Sequence, residues 1–446
     1  MNVKIFTISL GCARNLVDSE SLLGDLLSDK SNSLVTSRSN ADVIIINTCA
    51  FTREARTESL QAISSISESK SRNQILIVCG CLPQLQKREL FQRFPEIDAV
   101  FGSADFKKIR DVLPAIVNGS RIFEVSHPPL FLRTASMPRL ISTPPSYAYL
   151  KISEGCSNHC SYCLIPYLRG EHRARSVDDI VTEAKQLVQL GVQELILIGQ
   201  DTTLYNQSHC EEHPKGATKQ SHPTNIRADL VDLLSHLDRI RGLRWIRLLY
   251  AHPAHFSKRL INAFGRFEKL VKYVDLPIQH THDEILKRMN RPSFALTRRV
   301  IDELRARIPE LSLRTTVIVG FPGETDEHFR KLLKNVEEIQ FDWLGAFKYS
   351  KERGTGAYKM KAQVPSKIKE KRWQQIMSAQ QKITFRKNQA RIGKTLPVLA
   401  DTAKEGHSTF QAPEIDGKVI FKRRRDPGAI LRARITGASG YDLLSF

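Results

Sequence analysis

The chain has 446 residues, 41% of them hydrophobic, and is therefore long enough to form two or three domains with sizeable cores. No uncharged stretch reaches the roughly eighteen residues that a membrane-spanning helix needs. The first residues run into a strand-like segment without the basic head and apolar run of a signal peptide. We therefore expect a soluble, cytoplasmic protein with no membrane partner.

The sequence carries 67 Lys and Arg against 47 Asp and Glu, a formal net charge of +20. Such a charge favours an anionic partner, most often nucleic acid or a nucleoprotein, and says nothing about the fold. Residues 365–446 contain 17 Lys and Arg against 7 Asp and Glu, which is half of the excess. We expect this end of the chain to dock on the partner.

Eight cysteines in a chain without an export signal indicate metal binding or redox chemistry rather than a disulfide framework. Cys156, Cys160 and Cys163 follow a strand-like segment at spacings of four and three residues, so their thiols can converge on one small site. A structural zinc ion needs four ligands in a closed tetrahedron. A 4Fe-4S cube on three thiolates leaves one iron open for a ligand that is not protein. The alternative is three packed or zinc-bound cysteines.

In the first third of the chain, buried apolar runs alternate with amphipathic helices, which favours a doubly wound parallel α/β sheet. Three of these runs lead into Cys12, Cys49 and Cys81, at separations of 37 and 32 residues. One βαβ unit takes about 30 residues or more, so these thiols are expected at the carboxyl ends of strands, where open sheets build their sites. Either they bind a second cluster or they are loop cysteines without a common partner. Cys79 ends its apolar run as a core residue would, and we expect it to be structural.

Residues 127–146 contain five prolines and few periodic apolar positions, which favours an extended connector. Beyond it, six strand signals alternate with helix signals and predict an open (β/α)6 barrel, with its chemistry at the carboxyl ends of the strands. Polar segments stand at three of these ends, at residues 199–203, 279–280 and 320–324. Residues 206–225, which include Cys210, are polar and are predicted to be an inserted surface loop.

The C-terminal part combines a basic amphipathic helix over residues 367–390 with short strands after residue 393. Small all-β barrels of this length commonly bind RNA through an exposed sheet face. Its most basic run consists of Lys422, Arg423, Arg424 and Arg425. We expect that run to contact phosphate or an acidic surface, and a solvated loop is the alternative.

The CxxxCxxC motif of Cys156, Cys160 and Cys163, with Tyr162 inside it, resembles the signature of radical S-adenosylmethionine (SAM) enzymes. The resemblance implies that a 4Fe-4S cluster on these thiols binds the amino and carboxylate groups of SAM at its open iron. It also implies that the cluster splits SAM to a 5'-deoxyadenosyl radical, and that the fold is the partial barrel predicted above.

Four further positions are candidate SAM contacts on the strength of this resemblance, namely Tyr162, Arg175, Gln200 and Gln279. The family carries an Arg-Ser-Arg-Pro-like run where Arg173, Ala174, Arg175 and Ser176 stand here. It usually has two small residues after the Gln-His pair, where this chain has Thr281 and His282. These departures weaken the expected contact of Arg175 with SAM and the local contact with substrate.

The residues around Cys12, Cys49 and Cys81 resemble the N-terminal domain of the methylthiotransferases, which implies an auxiliary 4Fe-4S cluster on these three thiols. Residues 411–417 and the final strands resemble a TRAM domain. Together these likenesses predict an N-terminal methylthiotransferase domain over residues 1–126, a linker over 127–146, a radical SAM barrel over 147–377 and a TRAM barrel over 378–446.

Within that family, residues 10–20, 275–280 and 411–417 resemble the branch that modifies an aspartate of small-subunit ribosomal protein twelve. The resemblance implies a transferase with two 4Fe-4S clusters and SAM, which replaces a β-carbon hydrogen of that aspartate by a methylthio group. Its expected partners are the ribosomal protein near ribosomal RNA, a sulfur donor and an electron donor, and the enzyme is expected to be a monomer. The rivals are a tRNA adenosine methylthiotransferase, whose Gly-Cys-Gln-Met-Asn opening is absent here, and a non-catalytic iron-sulfur RNA-binding protein.

Overall fold

The computed structural model describes residues 2–205 and 228–446, which form two six-stranded parallel sheets, a short two-stranded sheet and a closed barrel. The predicted insertion with Cys210 lies outside the described residues. Among the described residues, no helix combines the length and the apolar character needed to cross a membrane.

The N-terminal domain is a parallel sheet with helices on both faces. Its strands are β1 Lys4–Ser9, β2 Ser33–Leu34, β3 Val43–Thr48, β4 Ile75–Gly80, β5 Ala99–Phe101 and β6 Ile122–Glu124. Its helices are α1 Ala13–Leu26, α2 Arg53–Ser69, α3 Cys81–Gln86, α4 Glu89–Arg93 and α5 Ile109–Val117. Helices α1 and α5 pack on one face, and α2, α3 and α4 pack on the other. The predicted doubly wound sheet is confirmed.

The strand order of this sheet is β2-β1-β3-β4-β5-β6. Strand β3 is buried along its whole length, because in a parallel sheet with helices on both faces a central strand contacts no water. The order reverses between β1 and β3. In open α/β sheets a crevice opens at the carboxyl ends of the strands at such a switch point, and ligands bind in it.

The central domain is an open barrel of six parallel strands. Its strands are β7 Tyr147–Lys151, β10 Glu194–Ile198, β11 Trp245–Leu248, β12 Leu270–Asp275, β13 Ser312–Val319 and β14 Trp343–Lys348, with the short pair β8 Ser153–Glu154 and β9 Arg173–Ala174. Its helices are α6 Ile165–Arg169, α7 Val177–Gln189, α8 Leu230–Asp238, α9 Lys258–Arg266, α10 Asp283–Arg288, α11 Phe294–Arg307, α12 Asp326–Ile339 and α13 Ser366–Gln389. The six large strands are ordered as they occur in the chain, which confirms the predicted (β/α)6 barrel.

The predicted boundary between residues 377 and 378 falls inside α13, which is one continuous helix. Ile376 and Ile383 both pack into the core of the radical barrel, and the Gln380 side chain donates a hydrogen bond of 2.9 Å to the Phe341 carbonyl. We propose that the C-terminal domain starts after this helix.

The connector over residues 127–146 contains no helix or strand, but it is tied to both neighbouring domains. Arg133 and Arg139 both bind the buried carboxylate of Glu183 on α7, at 3.1 and 3.0 Å. Arg139 also binds Glu20 on α1, at 2.7 Å. Buried ion pairs therefore fix the extended connector between α1 and α7.

The C-terminal domain is a closed barrel in the order β15-β16-β17-β19-β18. Its strands are β15 Thr395–Ala400, β16 Glu405–Ser408, β17 Val419–Phe421, β18 Ile430–Ser439 and β19 Asp442–Ser445. This confirms the predicted small all-β barrel. Of its basic run, Lys422 lies over the Phe446 ring and Arg425 donates to the Phe446 carbonyl, whereas Arg423 and Arg424 are exposed.

One loop of the small barrel closes the amino-terminal end of the radical barrel. The Glu414 carboxylate accepts hydrogen bonds from the hydroxyls of Tyr147 and Tyr149 on β7, at 3.0 and 2.8 Å. Asp416 accepts a bond of 2.7 Å from the Tyr273 hydroxyl on β12. The carboxyl-terminal end of the barrel, where the chemistry is predicted, lies opposite this loop.

Candidate functional site: two cysteine sets facing one seam

The first cysteine set lies at the switch point of the N-terminal sheet. Cys12 precedes the first residue of α1, Cys49 follows β3, and Cys81 begins α3 after β4. The backbone at Gly11 has φ +95°, and a Cβ atom on this residue would lie 2.8 Å from the Cys49 Sγ. Glycine therefore lets the loops after β1 and β3 come together, which brings Cys12 and Cys49 onto one site.

The three N-terminal thiols influence one another. Burial, together with the neighbouring Cys81 and Cys12, raises the pKa of Cys49 to about 12. Burial also raises the pKa of Cys81, against the guanidinium of Arg169. Burial opposes ionisation of Cys12 as well, but Arg14 and the backbone N–H groups of the helix start outweigh it and lower its pKa. Metal binding releases the protons of such thiols because only the thiolate is a ligand.

The second cysteine set lies in the loop between β8 and α6, at the carboxyl end of the radical barrel. The Asn158 amide lies 3.4 Å from the Cys156 Sγ, the Ile165 N–H lies 3.4 Å from the Cys163 Sγ, and Arg291 lies 3.9 Å from the Cys160 Sγ. Hydrogen bonds from N–H groups and a nearby cation stabilise thiolates. Burial nevertheless raises the pKa of Cys156 to about 11, so these donors offset only part of the cost of ionising the thiols in this loop.

Neither cysteine set is drawn together for a single metal ion. In residues 2–205 and 228–446, only two groups of ligand atoms all lie within 4.8 Å of one another, Asp201 with His252 and His255, and His282 with Glu284 and His328. The cysteine sets are more widely spaced. Thiolates that bind different irons of one cube are further apart than ligands of one ion, so this spacing is compatible with the predicted clusters.

A buried network of charged side chains runs from Cys81 to Glu154, two residues before Cys156. Arg169, at the end of α6, places its guanidinium 3.4 Å from the Cys81 Sγ and 2.6 Å from the Asp18 carboxylate. Lys151 at the end of β7 binds Asp18 at 2.6 Å and Glu154 at 2.7 Å. Burial alone would raise the pKa of Glu154, but Lys151 and Arg169 lower it to about 2. The network therefore contains two carboxylates and two cations in a dry space.

Arg14 provides a second link across this seam. Its guanidinium donates a 2.8 Å hydrogen bond to the Gly199 carbonyl after β10 and lies 4.6 Å from the centre of the Tyr250 ring. The same cation lowers the pKa of both Cys12 and Cys163, although burial raises the pKa of Cys163 to about 12 overall. Arg14, two residues after Cys12, therefore ties the N-terminal cysteine loop to the carboxyl end of the radical barrel.

The candidate SAM contacts differ in their surroundings. Tyr162 is beside Cys160, and burial together with that thiol raises its pKa well above the usual value. Gln200 donates a hydrogen bond to Glu154 of the buried network, and its own side-chain oxygen is buried without a partner among the described residues. Gln279 is buried after β12 with φ +67°. All three lie at the carboxyl end of the barrel and stay predicted contacts.

Arg175 donates its hydrogen bonds to other residues of the barrel. Its guanidinium donates to the Lys151 carbonyl at 2.7 Å, to Glu183 at 2.6 Å and to Asp179 at 2.7 Å. These bonds favour a structural role for Arg175, and its contact with SAM stays a prediction with less support than the other three.

Sequence reasoning missed a polar group beside Cys156. The Asp201 carboxylate accepts hydrogen bonds from Asn158 at 2.7 Å and from His255 at 2.8 Å. His252 stacks on His255, and its Nε2 atom is buried without a hydrogen-bond partner among the described residues. Asp201 stood in a predicted polar strand end, but the histidines follow β11, where no motif was recognised.

Three family models match the chain. These are "Uncharacterized protein family UPF0004" over residues 4–102, "Radical SAM superfamily" over residues 150–336 and "TRAM domain" over residues 392–445. Among solved structures, the radical SAM methyltransferase TsrM of Kitasatospora setae superposes with a TM-score of 0.56 at 15% identity, covering 78% of this chain and 73% of that one. The cobalamin-dependent radical SAM enzyme OxsB gives a TM-score of 0.51 at 13% identity, over 84% and 56% of the two chains. These structures share the fold.

Curated relatives match over the full length. The ribosomal protein uS12 methylthiotransferase RimO of Thermoanaerobacter sp. (strain X514) is 43% identical, covering 98% of each chain. Its namesake from Heliobacterium modesticaldum is 43% identical over 100% of this chain and 95% of the relative, and the one from Geobacter sulfurreducens is 42% identical over 99% and 98%. The chain therefore belongs to the radical SAM methylthiotransferase family, in the group that these uS12 methylthiotransferases represent.

Proposed function

We propose that the protein transfers a methylthio group to the β-carbon of an aspartate in ribosomal protein uS12, the twelfth protein of the small subunit. The full-length identity above 40% with relatives named for that activity supports the substrate. The observation that carries the chemistry is that Arg14 and Arg169 tie the first cysteine set to the carboxyl end of the radical barrel, where the second set lies. A transferase that brings sulfur and a radical to one carbon needs both sources at one place.

As a member of this family the protein is a transferase that uses SAM and 4Fe-4S clusters. We propose Cys156, Cys160 and Cys163 as ligands of the cluster that binds SAM. Cys12, Cys49 and Cys81 are the proposed ligands of the auxiliary cluster. When bound, these groups and SAM supply the radical, the sulfur and the methyl group. The chain itself has to place the target carbon and keep water out of the seam.

The buried network of charged side chains keeps water out of the seam. Arg169 and Lys151 neutralise Asp18 and Glu154 inside the seam, so the wall between the domains stays dry without an unpaired charge. A general acid or base is not needed to remove a hydrogen atom from the β-carbon. The reaction also requires a sulfur donor and an electron donor, and it takes place in the cytoplasm, with the enzyme acting as a monomer.

Mass spectrometry of uS12 from a wild-type strain and from a strain lacking this gene tests the proposal. We expect uS12 of the wild type to carry one methylthio group in place of a hydrogen on one aspartate, and uS12 of the deletion strain to lack it. Unmodified uS12 in both strains, with a methylthio nucleoside lost from tRNA in the deletion strain, would instead establish the tRNA activity. Restoring the gene on a plasmid is the control.

A further inference from the structure

Two adjoining clefts run along the outside of the seam between the N-terminal domain and the radical barrel, with volumes of about 620 and 830 Å3. They share Arg56 and meet at the loop after β14. Eight Lys and Arg side chains line them against three Glu side chains. We call this the seam surface. Its exposed cations include Arg53, Lys351 and Arg353, with Lys87 and Arg88 at the far end.

Part of the positive charge of the seam surface is used inside the protein, and part faces outward. Arg56 binds the buried Glu352 with both guanidinium nitrogens, and Lys348 binds Glu370 at 2.8 Å. In the described structure, Arg53 and Arg353 have neither an acidic partner nor an aromatic ring against them. The exposed cations therefore add to a positive field that the internal pairs do not cancel.

Aromatic side chains stand among these cations. The ammonium group of Lys351 lies 4.8 Å from the centre of the Tyr358 ring, and that ring is 38% exposed. At the far end, the ammonium group of Lys87 lies 5.7 Å from the centre of the Tyr167 ring, which lines the same cleft. Cations interleaved with exposed rings are the chemistry that binds single-stranded RNA, where phosphates meet Lys and Arg and bases stack on aromatic faces.

The seam surface borders the site described above. Arg53 begins α2 four residues after Cys49, Lys87 directly follows the helix that Cys81 begins, and Lys351 and Arg353 follow β14 at the carboxyl end of the barrel. The cations of the seam surface therefore adjoin the segments that carry Cys49 and Cys81 and the carboxyl end of the barrel.

We propose that the seam surface binds the phosphodiester backbone of ribosomal RNA next to the target aspartate. The proposal rests on the proposed uS12 activity, because it assigns the partner that flanks the substrate at the same site. A surface for a polypeptide would be expected to have an apolar, charge-depleted centre, whereas RNA interfaces are polar and strongly positive. The balance of cations over Glu side chains favours RNA.

The test uses the full-length, reconstituted enzyme and a labelled single-stranded polyuridylate, with affinity measured by fluorescence anisotropy over a series of salt concentrations. The seam variant carries Arg53→Gln, Lys351→Gln and Arg353→Gln. The matched control carries Lys185→Gln, Arg241→Gln and Lys258→Gln, which remove the same charge from exposed positions on the outside of the barrel. For three lost phosphate contacts, we expect the seam variant to bind about tenfold more weakly and its logarithmic salt slope to fall by about 2. The control should stay within about twofold of the wild type.

A second measurement separates this proposal from the proposed function. The enzyme is assayed on intact small ribosomal subunits and on an RNA-free peptide that contains the target aspartate. The seam variant should lose kcat/KM on the subunits and keep the wild-type rate on the peptide. Equal RNA affinity and salt slope in the seam variant and the wild type would overturn the RNA assignment, and so would a loss confined to the peptide, which would identify a polypeptide surface. If the wild type modified neither substrate, the proposed uS12 activity would be wrong. The anisotropy measurement would still show whether the seam surface binds RNA.

Discussion

Cys79 and Cys81 are two residues apart but have different surroundings. Cys79 is fully buried in β4 and packs with the residues that α1 and α5 cover. Cys81 begins α3 on the other face of the sheet and contacts Arg169. Replacing Cys81 by Ala should remove about half of the iron that the reconstituted enzyme binds, end methylthio transfer and leave SAM cleavage measurable, because only one of two clusters is lost. Cys79→Ala should keep the full iron content, and a loss of iron equal to that of Cys81→Ala would reverse the assignment.

The radical set should behave differently. Replacing any one of Cys156, Cys160 and Cys163 by Ala leaves two protein thiolates for a cube that needs three. We expect each variant to lose 5'-deoxyadenosine production from SAM while it keeps the iron of the N-terminal set. Chromatographic detection of 5'-deoxyadenosine after chemical reduction checks this. Wild-type amounts of the product in all three variants would exclude these cysteines as the radical site.

Arg169 is the one cation that directly contacts a proposed ligand of the auxiliary cluster, Cys81, at 3.4 Å among the described residues. Hydrogen bonds and positive charge at a ligating sulfur favour the reduced cluster. In a background in which Cys156, Cys160 and Cys163 are Ala, Arg169→Met should therefore lower the reduction potential of the remaining cluster. A tenfold effect corresponds to about 60 mV for one electron.

Arg169→Lys is the companion variant, since it keeps the charge and loses the fork of donors. An electron paramagnetic resonance titration of both variants gives the potentials, after their iron content has been shown to match. The Lys variant should lie between the wild type and the Met variant. Equal potentials in all three proteins would mean that Arg169 only neutralises Asp18.

At the scale of elements, helix α7 holds the connector through a single carboxylate. Glu183 is 2% exposed and pairs with Arg133, Arg139 and Arg175. Burial raises its pKa, but the three guanidinium groups lower it to about 2. Glu183→Gln leaves buried cations without their anion, and we expect a loss of about 3–5 kcal/mol in unfolding free energy. Denaturant unfolding, followed by a probe of the barrel, measures the loss.

The matched control is Glu338→Gln on α12. Glu338 pairs with Lys334 at 3.7 Å with both side chains half exposed or more, so the change should be within about 0.5 kcal/mol. The stabilisation by Glu183 should be fully present above the usual pKa of a glutamate and disappear as the pH falls toward about 2. A Glu183→Gln protein as stable as the control would show that the connector does not depend on this ion pair.

The elements themselves were predictable because their signals are local. The apolar run of β3 and the cysteines after β1, β3 and β4 followed from periodicity and from the spacing of βαβ units. The partners of the polar residues on α1 did not follow. Asp18 binds Lys151 and Arg169, which follow it in the chain by 133 and 151 positions. No periodicity encodes pairs so far apart.

The predicted boundary between residues 377 and 378, which falls inside α13, is difficult to place from the sequence for a related reason. The amphipathic pattern of this helix is continuous, and its buried residues, Ile376 and Ile383, face the same core. Composition changes only where the helix ends, so the sequence contains no signal at residue 377. The two histidines beside Asp201 were missed because they match no recognised motif, although they are three residues apart, and they reach Asp201 only when β10 and β11 pair.

At the scale of the whole molecule, the C-terminal barrel is part of the wall of the radical barrel. His407 on β16 lies between Asp401 of its own barrel, at 2.9 Å, and Glu194 at the start of β10. Glu194 also binds Arg247 at 2.6 Å. The buried imidazolium of His407 therefore links the two domains through ion pairs with Asp401 and Glu194.

The pH dependence of stability should report this link. Burial alone lowers the pKa of His407, but Glu194 and then Asp401 outweigh it and raise the pKa to about 9, whereas an unfolded histidine titrates near about 6.5. The folded state therefore binds the proton more tightly. The resulting stabilisation, about 3 kcal/mol, is fully present below about pH 6.5 and disappears as the pH rises toward about 9.

His407→Gln removes the titrating group, so the variant should be less stable than the wild type at pH 6 and should lose little more stability up to pH 9. His236→Gln, on the exposed side of α8, should keep the wild-type profile. Thermal unfolding measured from pH 6 to pH 9 tests this prediction. If the stability of the His407→Gln protein changed with pH as that of the wild type does, His407 would not be the group that binds the proton.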